Sequence, residues 1–214
     1  MSAPAPLCDP LGVSTVPKPR PYHTELRALL ALGAPIMLTS MLSFLMSMVD
    51  LWFVGELGTH ELAVAALANL VWNTLQHPLI GFATALDTLL TQSYGAGQMA
   101  AFTRWTQTGL VVMTVLCVPY ALLLSSTAPI LRALGQDPAL SADAGEYCLY
   151  LIPGIVPFAI FTCLTKHLQS QSVLAPSVAI ALGANVLNAF LNWFFIYRLG
   201  LGIHGAPVAT SASR

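Results

Sequence analysis

ALLALGAPIMLTSMLSFLMSMVD, residues 28–50, contains 22 consecutive residues without Asp, Glu, Lys or Arg before it reaches a single carboxylate, Asp50. About 20 apolar residues in a helix are enough to cross the hydrocarbon core of a bilayer. The stretch therefore predicts a transmembrane helix with an acid inside it. Because a charge at that depth costs at least about 2.5–3.5 kcal/mol, an acid in this place is a functional-site hypothesis.

The composition places the whole chain in the same class. Of its 214 residues, 8% are charged and 56% are apolar, and the mean hydropathy is +0.73. An average soluble domain carries about 25% charged residues, so we expect a lipid bilayer around this chain. The net charge of −1 and the lack of any Lys/Arg cluster argue against a nucleic-acid partner, because phosphate binding needs several cations on one face.

The charged residues divide the chain into successive uncharged stretches. We predict an all-α bundle with five complete spans and the start of a sixth, which is cut short after a glycine-rich turn: about 28–54, 62–86, 105–131, 147–165, 170–197 and 206–214. The positive-inside rule favours a cytoplasmic N-terminus. This orientation leaves two cations outside, Arg132 and Arg198, against five inside: Lys18, Arg20, Arg27, Arg104 and Lys166.

The N-terminal residues 1–27 are rich in proline and contain no apolar segment. This pattern predicts a disordered cytoplasmic tail and not a cleaved signal peptide. The four cysteines share no short spacing typical of metal ligands, so we predict no metal site.

Three prolines inside the predicted spans are candidate helix hinges: Pro35, Pro153 and Pro157. A proline frees a backbone carbonyl, which in lipid must be satisfied by a neighbouring helix, a hydroxyl or water. A single proline is also ordinary in a membrane helix, so Pro35 alone is weak evidence. Pro153 and Pro157 lie one turn apart on either side of Gly154 and indicate a bend more strongly.

Polar side chains recur at helical spacing on three of the spans. The first span carries Ser40, Ser43, Ser47 and Asp50, the second carries Asn69, Asn73 and Gln76, and the fifth carries Asn185, Asn188 and Asn192. We expect these stripes to line a shared polar interior. The alternative is that the amides and hydroxyls only hold helices together, at about 0.6 kcal/mol per hydrogen bond.

Asp50 differs from these neutral groups because a buried carboxylate can bind and release a proton, or hold Na⁺ together with amide oxygens. The alternative is an acid that reaches to the membrane surface. No catalytic pattern competes with a transport role: the sequence has no phosphate-binding glycine loop with a lysine, no GxSxG and no HExxH. We therefore predict that the chain is not an enzyme and needs no cofactor beyond H⁺ or Na⁺ as coupling ion.

Four segments, in order along the chain, resemble the multidrug and toxin extrusion (MATE) family, especially its eukaryotic members. They contain VDLWFVGELG (49–58) with ELA (61–63), ALDTLL (85–90) with QSYGAG (92–97), LQSQ (168–171), and NVLNAFLNWFFIY (185–197) with GAPVATS (205–211). The likeness extends over nearly all of the chain after residue 27.

The resemblance implies the N-terminal lobe of a two-lobed antiporter with twelve helices, truncated in the sixth, whose C-terminal lobe is absent from this chain. Such a transporter expels small organic cations and other amphiphiles in exchange for H⁺ or Na⁺. The implied cation site comprises Asp50, Asn188, Asn192 and Thr210. Asn192 stands where prokaryotic members carry a second acid, which makes coupling to a single proton more plausible than a two-carboxylate Na⁺ site.

Two other interpretations remain open. One is an inactive or partner-requiring half-transporter. The other is a lipid-precursor flippase of related architecture, which would need a cationic cavity. The interiors of the predicted spans contain no Lys or Arg, and this disfavours the flippase. We expect a multi-pass protein of the plasma membrane or of a vacuolar or other organelle membrane.

Overall fold

The computed structural model describes residues 21–214, except for the side chains of residues 28 and 32. Its α-helices are α1 (Tyr22–Gly55), α2 (Thr59–Gly95), α3 (Met99–Ser125), α4 (Thr127–Ala133), α5 (Pro138–Leu151), α6 (Ile155–Ser170), α7 (Ala175–Trp193) and α8 (Gly205–Ser213). A short 3₁₀ turn, Ile152–Gly154, joins α5 to α6, and a π-helical turn, Phe194–Arg198, continues α7. A second 3₁₀ turn, Gly202–His204, precedes α8. No strand occurs among the described residues, so the predicted all-α class is confirmed.

The helices differ from the predicted spans mainly at their ends. The predicted tail, residues 1–27, overlaps the first helix, because α1 already begins at Tyr22, six residues before the predicted first span. Residues 1–20 lie outside the described part of the chain. Both α2 and α3 begin before the predicted spans, since a helix continues through polar residues into the interface, where charge counting ends a span. α3 also ends at Ser125, and α4 supplies the rest of the predicted third span.

Four segments are long and apolar enough to cross a membrane: Tyr22–Gly55, Met99–Ser125, Pro138–Ser170 and Ala175–Arg198. The 37-residue α2, which contains the predicted second span, is not among them. Its interior carries Asn69, Asn73 and Gln76, which lower its hydropathy. The second of the five predicted spans therefore stays a prediction.

The fourth predicted span is broken where the proline pair predicts a bend. Pro153 lies in the 3₁₀ turn, and Pro157 lies in the first turn of α6. The hydroxyl of Ser211 on α8 donates to the backbone carbonyl of Tyr150 at 2.8 Å, next to the break. Gly154 allows α8 to approach closely, because a Cβ atom there would lie 3.0 Å from the Cα of Ser211.

Pro35 lies within α1, which runs past it without a break. Three hydroxyls in the following turns donate to carbonyls four residues earlier: Thr39 to Pro35, Ser40 to Ile36 and Ser43 to Thr39, at 2.9–3.1 Å. Hydroxyl bonds of this kind bend and slightly destabilise helices. The segment after Pro35 is therefore a place where α1 can bend.

The helices pack around one large apolar core in which α2 contacts α1, α3, α5 and α6. Trp72 of α2 and Tyr120 of α3 are almost fully buried there, with ring centroids 5.3 Å apart. Many large apolar side chains of α1 and α7 are instead exposed, including Met37, Met41 and Val186. An exposed apolar face of this extent suits contact with lipid or with a further membrane segment.

Candidate cation site and central cavity

Asp50 lies near the C-terminal end of α1 and is 4% exposed. Its neighbours come from two other helices: Asn188 and Asn192 from α7, and Thr210 from α8, all fully or almost fully buried. The structure therefore brings together the four residues of the implied cation site, which are separated by up to 160 positions in the sequence.

Both oxygens of the Asp50 carboxylate accept hydrogen bonds. Oδ1 accepts from the amide of Asn192 at 2.7 Å and from the amide of Asn188 at 3.1 Å. Oδ2 accepts from the hydroxyl of Thr210 at 2.6 Å. Three donors around one carboxylate replace the water that a buried charge loses, and bonds to a charged acceptor are about twice as strong as neutral ones. These bonds stabilise the ionised acid, whereas its burial opposes ionisation.

The same pocket can also accommodate a proton on Asp50. The Thr210 hydroxyl lies 2.6 Å from Oδ2 of Asp50 and 3.0 Å from the backbone carbonyl of Ala206, but it has one hydrogen to donate. If Oδ2 is protonated, it can donate to Thr210, whose own hydrogen then turns to Ala206. A rotation of one hydroxyl thus satisfies both protonation states.

Asn192 retains one free acceptor. Its amide nitrogen also donates to the backbone and side-chain oxygens of Asn188, at 3.1 and 3.2 Å. Its Oδ1 atom is buried and has no hydrogen-bond partner among the described residues. A buried acceptor beside a carboxylate fits a proton or a hard cation such as Na⁺, which prefers oxygen ligands.

Asn185 shares the buried face of α7 with Asn188 and Asn192, but unlike them it does not bond to Asp50. This face consists of Ser177, Ala181, Asn185, Asn188 and Asn192, and it packs against α1 and α8. The Asn185 amide donates to the backbone carbonyl of Ala181 at 2.8 Å. Asn185 therefore lies in the interface of α7 with its neighbouring helices, and it does not line the shared polar interior that the sequence predicts.

A separate cavity of about 490 Å³, called the central cavity below, lies between α1, α2 and α6. Arg214, at the end of α8, also lines it. Five of the predicted cavity residues line it: Ser43, Ser47, Asn69, Asn73 and Gln76. Ser40 lines it as well, but Asp50 does not. The polar stripe predicted for α1 therefore divides: its serines face the cavity, whereas its acid turns toward α7 and α8.

Sequence reasoning missed the charged and aromatic residues of this cavity. Trp72, Phe158, Lys166 and Arg214 all line it. Trp72 lies at helical spacing from Asn69 and Gln76, so periodicity could have indicated it, whereas no predicted cavity residue lies at helical spacing from Arg214. The interiors of the predicted spans contain no Lys or Arg, but Lys166 and Arg214 reach the cavity from just outside or at the end of predicted spans.

Lys166 is partly neutralised, since its ammonium group lies 3.3 Å from a carboxylate oxygen of Asp87 on α2. The side chains of this pair are 26% and 34% exposed. The pair joins α2 to α6 beside the cavity. A half-exposed ion pair of this kind contributes about 1 kcal/mol or less to stability.

The chain is similar to known transporters along most of its length. The family model described as MatE matches residues 35–194. Protein DETOXIFICATION 12 of Arabidopsis thaliana is 33% identical over 193 residues, which are 90% of this chain and 40% of the relative. Multidrug and toxin extrusion protein 1 of Oryctolagus cuniculus is 33% identical over 194 residues, which are 90% of this chain and 34% of the relative.

The fold agrees with these sequence matches. The crystal structure of the eukaryotic MATE transporter AtDTX14 superposes with a TM-score of 0.85 at 27% identity, over 90% of this chain and 43% of that one. The chain spans between 33% and 40% of the length of the curated relatives it matches. It therefore belongs to the MATE family of membrane transporters and corresponds to one part of their two-lobed structure.

Proposed function

We propose that the chain forms the N-terminal lobe of a secondary active exporter that expels organic cations or other amphiphilic toxins in exchange for H⁺, with Na⁺ as the alternative coupling ion. The observation that supports this proposal most directly is the Asp50 pocket. One carboxylate is buried between three helices, and each of its oxygens has a donor from another helix.

Proton binding at Asp50 would change the contacts between these helices. As a carboxylate, Asp50 holds α1 against Asn188 and Asn192 of α7 and against Thr210 of α8. A neutral acid loses the stronger, charge-assisted part of each bond. Protonation therefore weakens the attachment of α1 and favours a different arrangement of the lobe.

The hydroxyl-bonded part of α1 is the proposed place of bending. Pro35 lies 15 residues before Asp50, which is about 22 Å along a helix that rises 1.5 Å per residue. Thr39, Ser40 and Ser43 lie between them, and their side chains bond to the helix backbone. Thr39, Ser40 and Ser43 also line the cavity, so a bend here changes the shape of the space available to cargo.

The membrane potential supplies enough energy for such a change. Each proton that moves inward gains about 2.3 kcal/mol per 100 mV. That gain is comparable to the strength of one hydrogen bond to a charged group, about 1.5–3 kcal/mol. One proton per cycle could therefore shift the equilibrium between two arrangements of the lobe.

The cavity is the proposed site of cargo. It combines apolar and aromatic walls with the amides and hydroxyls of α1 and α2, a mixture that suits amphiphilic molecules. We place the N-terminus in the cytoplasm and the protein in the plasma membrane or in a vacuolar or other organelle membrane. The proposal concerns a transporter with a second lobe, from the same or another chain, because the relatives extend well beyond this lobe.

The test is Asp50→Asn in the transporter expressed from its complete reading frame. We expect efflux of ethidium from proteoliposomes, driven by an imposed pH gradient, to fall to the level of protein-free vesicles. Asn keeps the size of the side chain but cannot bind a proton. Asp143→Asn is the matched control, because this acid lies at an exposed position on α5 and away from both sites. Full activity of Asp50→Asn would overturn the proposal.

The same vesicles distinguish the two coupling ions. With a proton gradient alone, transport indicates H⁺ coupling through Asp50. If ethidium moves only when a Na⁺ gradient is imposed, and Asp50→Asn abolishes that movement, then Na⁺ replaces H⁺ in the mechanism. A transporter that responds to neither gradient is not a secondary exporter.

A further inference from the structure

The guanidinium group of Arg214 lies over two aromatic rings inside the central cavity. Its central carbon is 4.4 Å from the ring centroid of Trp72 and 5.2 Å from that of Phe158. The Nη1 atom is buried and has no hydrogen-bond partner among the described residues. This charge is therefore held by the faces of the rings and retains an unused donor.

A second unused donor lies on the same wall. The amide nitrogen of Asn69 is buried without a partner among the residues that the structure describes. Asn69 and Trp72 are three residues apart on α2, and both line the cavity together with Arg214. Buried donors are nearly always bonded in folded proteins. Two free donors in one cavity therefore indicate a ligand that brings acceptor oxygens.

The charges of the residues that line the cavity also favour a ligand with acceptor oxygens. Among the described residues that line it, there is no Asp or Glu. Arg214 forms no salt bridge with any described residue, whereas Lys166 pairs with Asp87. The oxygens of Asp50 are occupied by their own donors in the neighbouring pocket. Asp50 attracts Arg214 from the neighbouring pocket but forms no salt bridge with it, so Arg214 is the cation of this cavity that no carboxylate of the described residues contacts directly.

The aromatic rings are held in place. Trp72 is 3% exposed, and the hydroxyl of Tyr120 donates to its backbone carbonyl at 3.2 Å. The rings of Trp72 and Phe158 meet edge to face, with centroids 6.3 Å apart. Because these rings are fixed, the guanidinium group is positioned before any cargo enters, and a planar cargo can pack beside it.

We propose that this cavity takes aromatic amphiphiles that carry an acidic group, such as a carboxylate or sulfonate. The oxygens of the acidic group accept hydrogen bonds from Nη1 of Arg214 and from the Asn69 amide. The proposal rests on the proposed export function, and within the cargo class given there it favours acidic amphiphiles over organic cations. An acidic cargo and a proton on Asp50 do not repel each other, so their exchange arises from the change in helix arrangement and not from direct competition.

The experiment compares two dyes with the same ring system and opposite charge. The transporter expressed from its complete reading frame is purified, and equilibrium binding of fluorescein and of rhodamine 123 is measured. We expect tighter binding of fluorescein. Arg214→Gln should weaken it by about tenfold or more, since a hydrogen bond to a charged group contributes about 1.5–3 kcal/mol. Rhodamine 123 binding should be unchanged or stronger.

Two further variants separate the charge from the fold. Arg198→Gln is the matched control, because Arg198 also lies over an aromatic ring, 5.4 Å from Trp193, but outside the cavity. It should leave the preference between the dyes unchanged. Arg214→Lys keeps the charge and should restore much of the fluorescein binding. Asn69→Leu tests the second donor independently and should weaken fluorescein binding by a few-fold.

The results have distinct meanings. Preference for rhodamine 123, or equal loss of both dyes in Arg214→Gln, overturns the inference. If neither dye binds while Asp50-dependent ethidium efflux persists, the inference fails and the export function stands.

Vesicles with labelled phosphatidylglycerol or phosphatidylcholine identify the source of the acidic group. Arg214-dependent flipping of phosphatidylglycerol alone assigns it to a lipid headgroup, whereas fluorescein binding without flipping assigns it to a soluble cargo.

Discussion

Asp50 and Arg214 are both single charges in the interior of the lobe, but their surroundings differ. Asp50 has donors on both oxygens and lies outside the central cavity. Arg214 lies on two ring faces inside that cavity and keeps a buried nitrogen without a partner among the described residues. A charge whose bonds are complete can respond only to a proton or a small cation. A charge with an unused donor is available to a larger ligand.

The largest expected effect concerns the closed pocket. Asn188→Leu removes a donor to Asp50 and leaves buried polar groups without partners. A hydrogen bond to a charged group contributes about 1.5–3 kcal/mol, and Asn188 also donates to Thr210 and accepts from Asn192, so we expect a marked loss of thermal stability of the purified transporter. The control is Asn73→Leu, because Asn73 is exposed to the cavity and should cost little. Equal losses would erase the distinction between the two regions.

A smaller effect should come from the hydroxyl that serves both protonation states. Thr210→Val keeps the shape of the side chain but removes the donor to Asp50. A bond to a charged acceptor contributes about 1.5–3 kcal/mol, so the rate of pH-driven ethidium efflux should fall by about 10-fold to 100-fold. Thr210→Ser should restore it. A fast Thr210→Val transporter would show that the proton does not need this hydroxyl.

The smallest effect lies outside both regions, at the beginning of α2. His60 bonds to Asp143 of α5 at 2.8 Å. The Asp143 carboxylate raises the pKa of His60 above its ordinary 6.5. The pair therefore stabilises the fold fully below pH 6.5, and this contribution is lost as the pH rises through the higher folded-state pKa.

The measurement is the melting temperature of the purified transporter at several pH values from 6 to 9. We expect a small decline with pH that Asp143→Asn and His60→Gln both abolish. Because this pair is exposed, its contribution is small and sensitive to salt. A decline that survives in both variants belongs to another group.

The sequence predicts the closed pocket better than the open cavity. Asp50, Asn188, Asn192 and Thr210 follow from the family resemblance, and the structure brings them together. Their roles in coupling stay a prediction. The pocket can be anticipated because an acid or amide within an apolar helix is costly, so each of these polar residues stands out from its neighbours.

Helical periodicity shows on which side of a helix a residue lies, but not which neighbouring helix packs against that side. The wrong predictions arise for this reason. Asn185 lies one turn before Asn188, yet its amide bonds to its own helix. Ser47 and Asp50 share the predicted stripe, yet only Ser47 lines the cavity. A helix that contacts neighbours on several sides has more than one buried face, and a sequence pattern alone cannot assign each face to a neighbour.

The close approach of Gly154 to Ser211 links the break between α5 and α6 to α8. Ser211 adjoins Thr210, the third donor of the carboxylate pocket, and a Cβ atom at position 154 would lie 3.0–3.3 Å from the Cα, Oγ and Cβ atoms of Ser211. An alanine at position 154 would therefore require Ser211 to shift by a few tenths of an ångström, and this shift would act on the neighbouring Thr210 hydroxyl. The fit of the Asp50 pocket is thus sensitive to the missing side chain at position 154, outside the three helices that form the pocket.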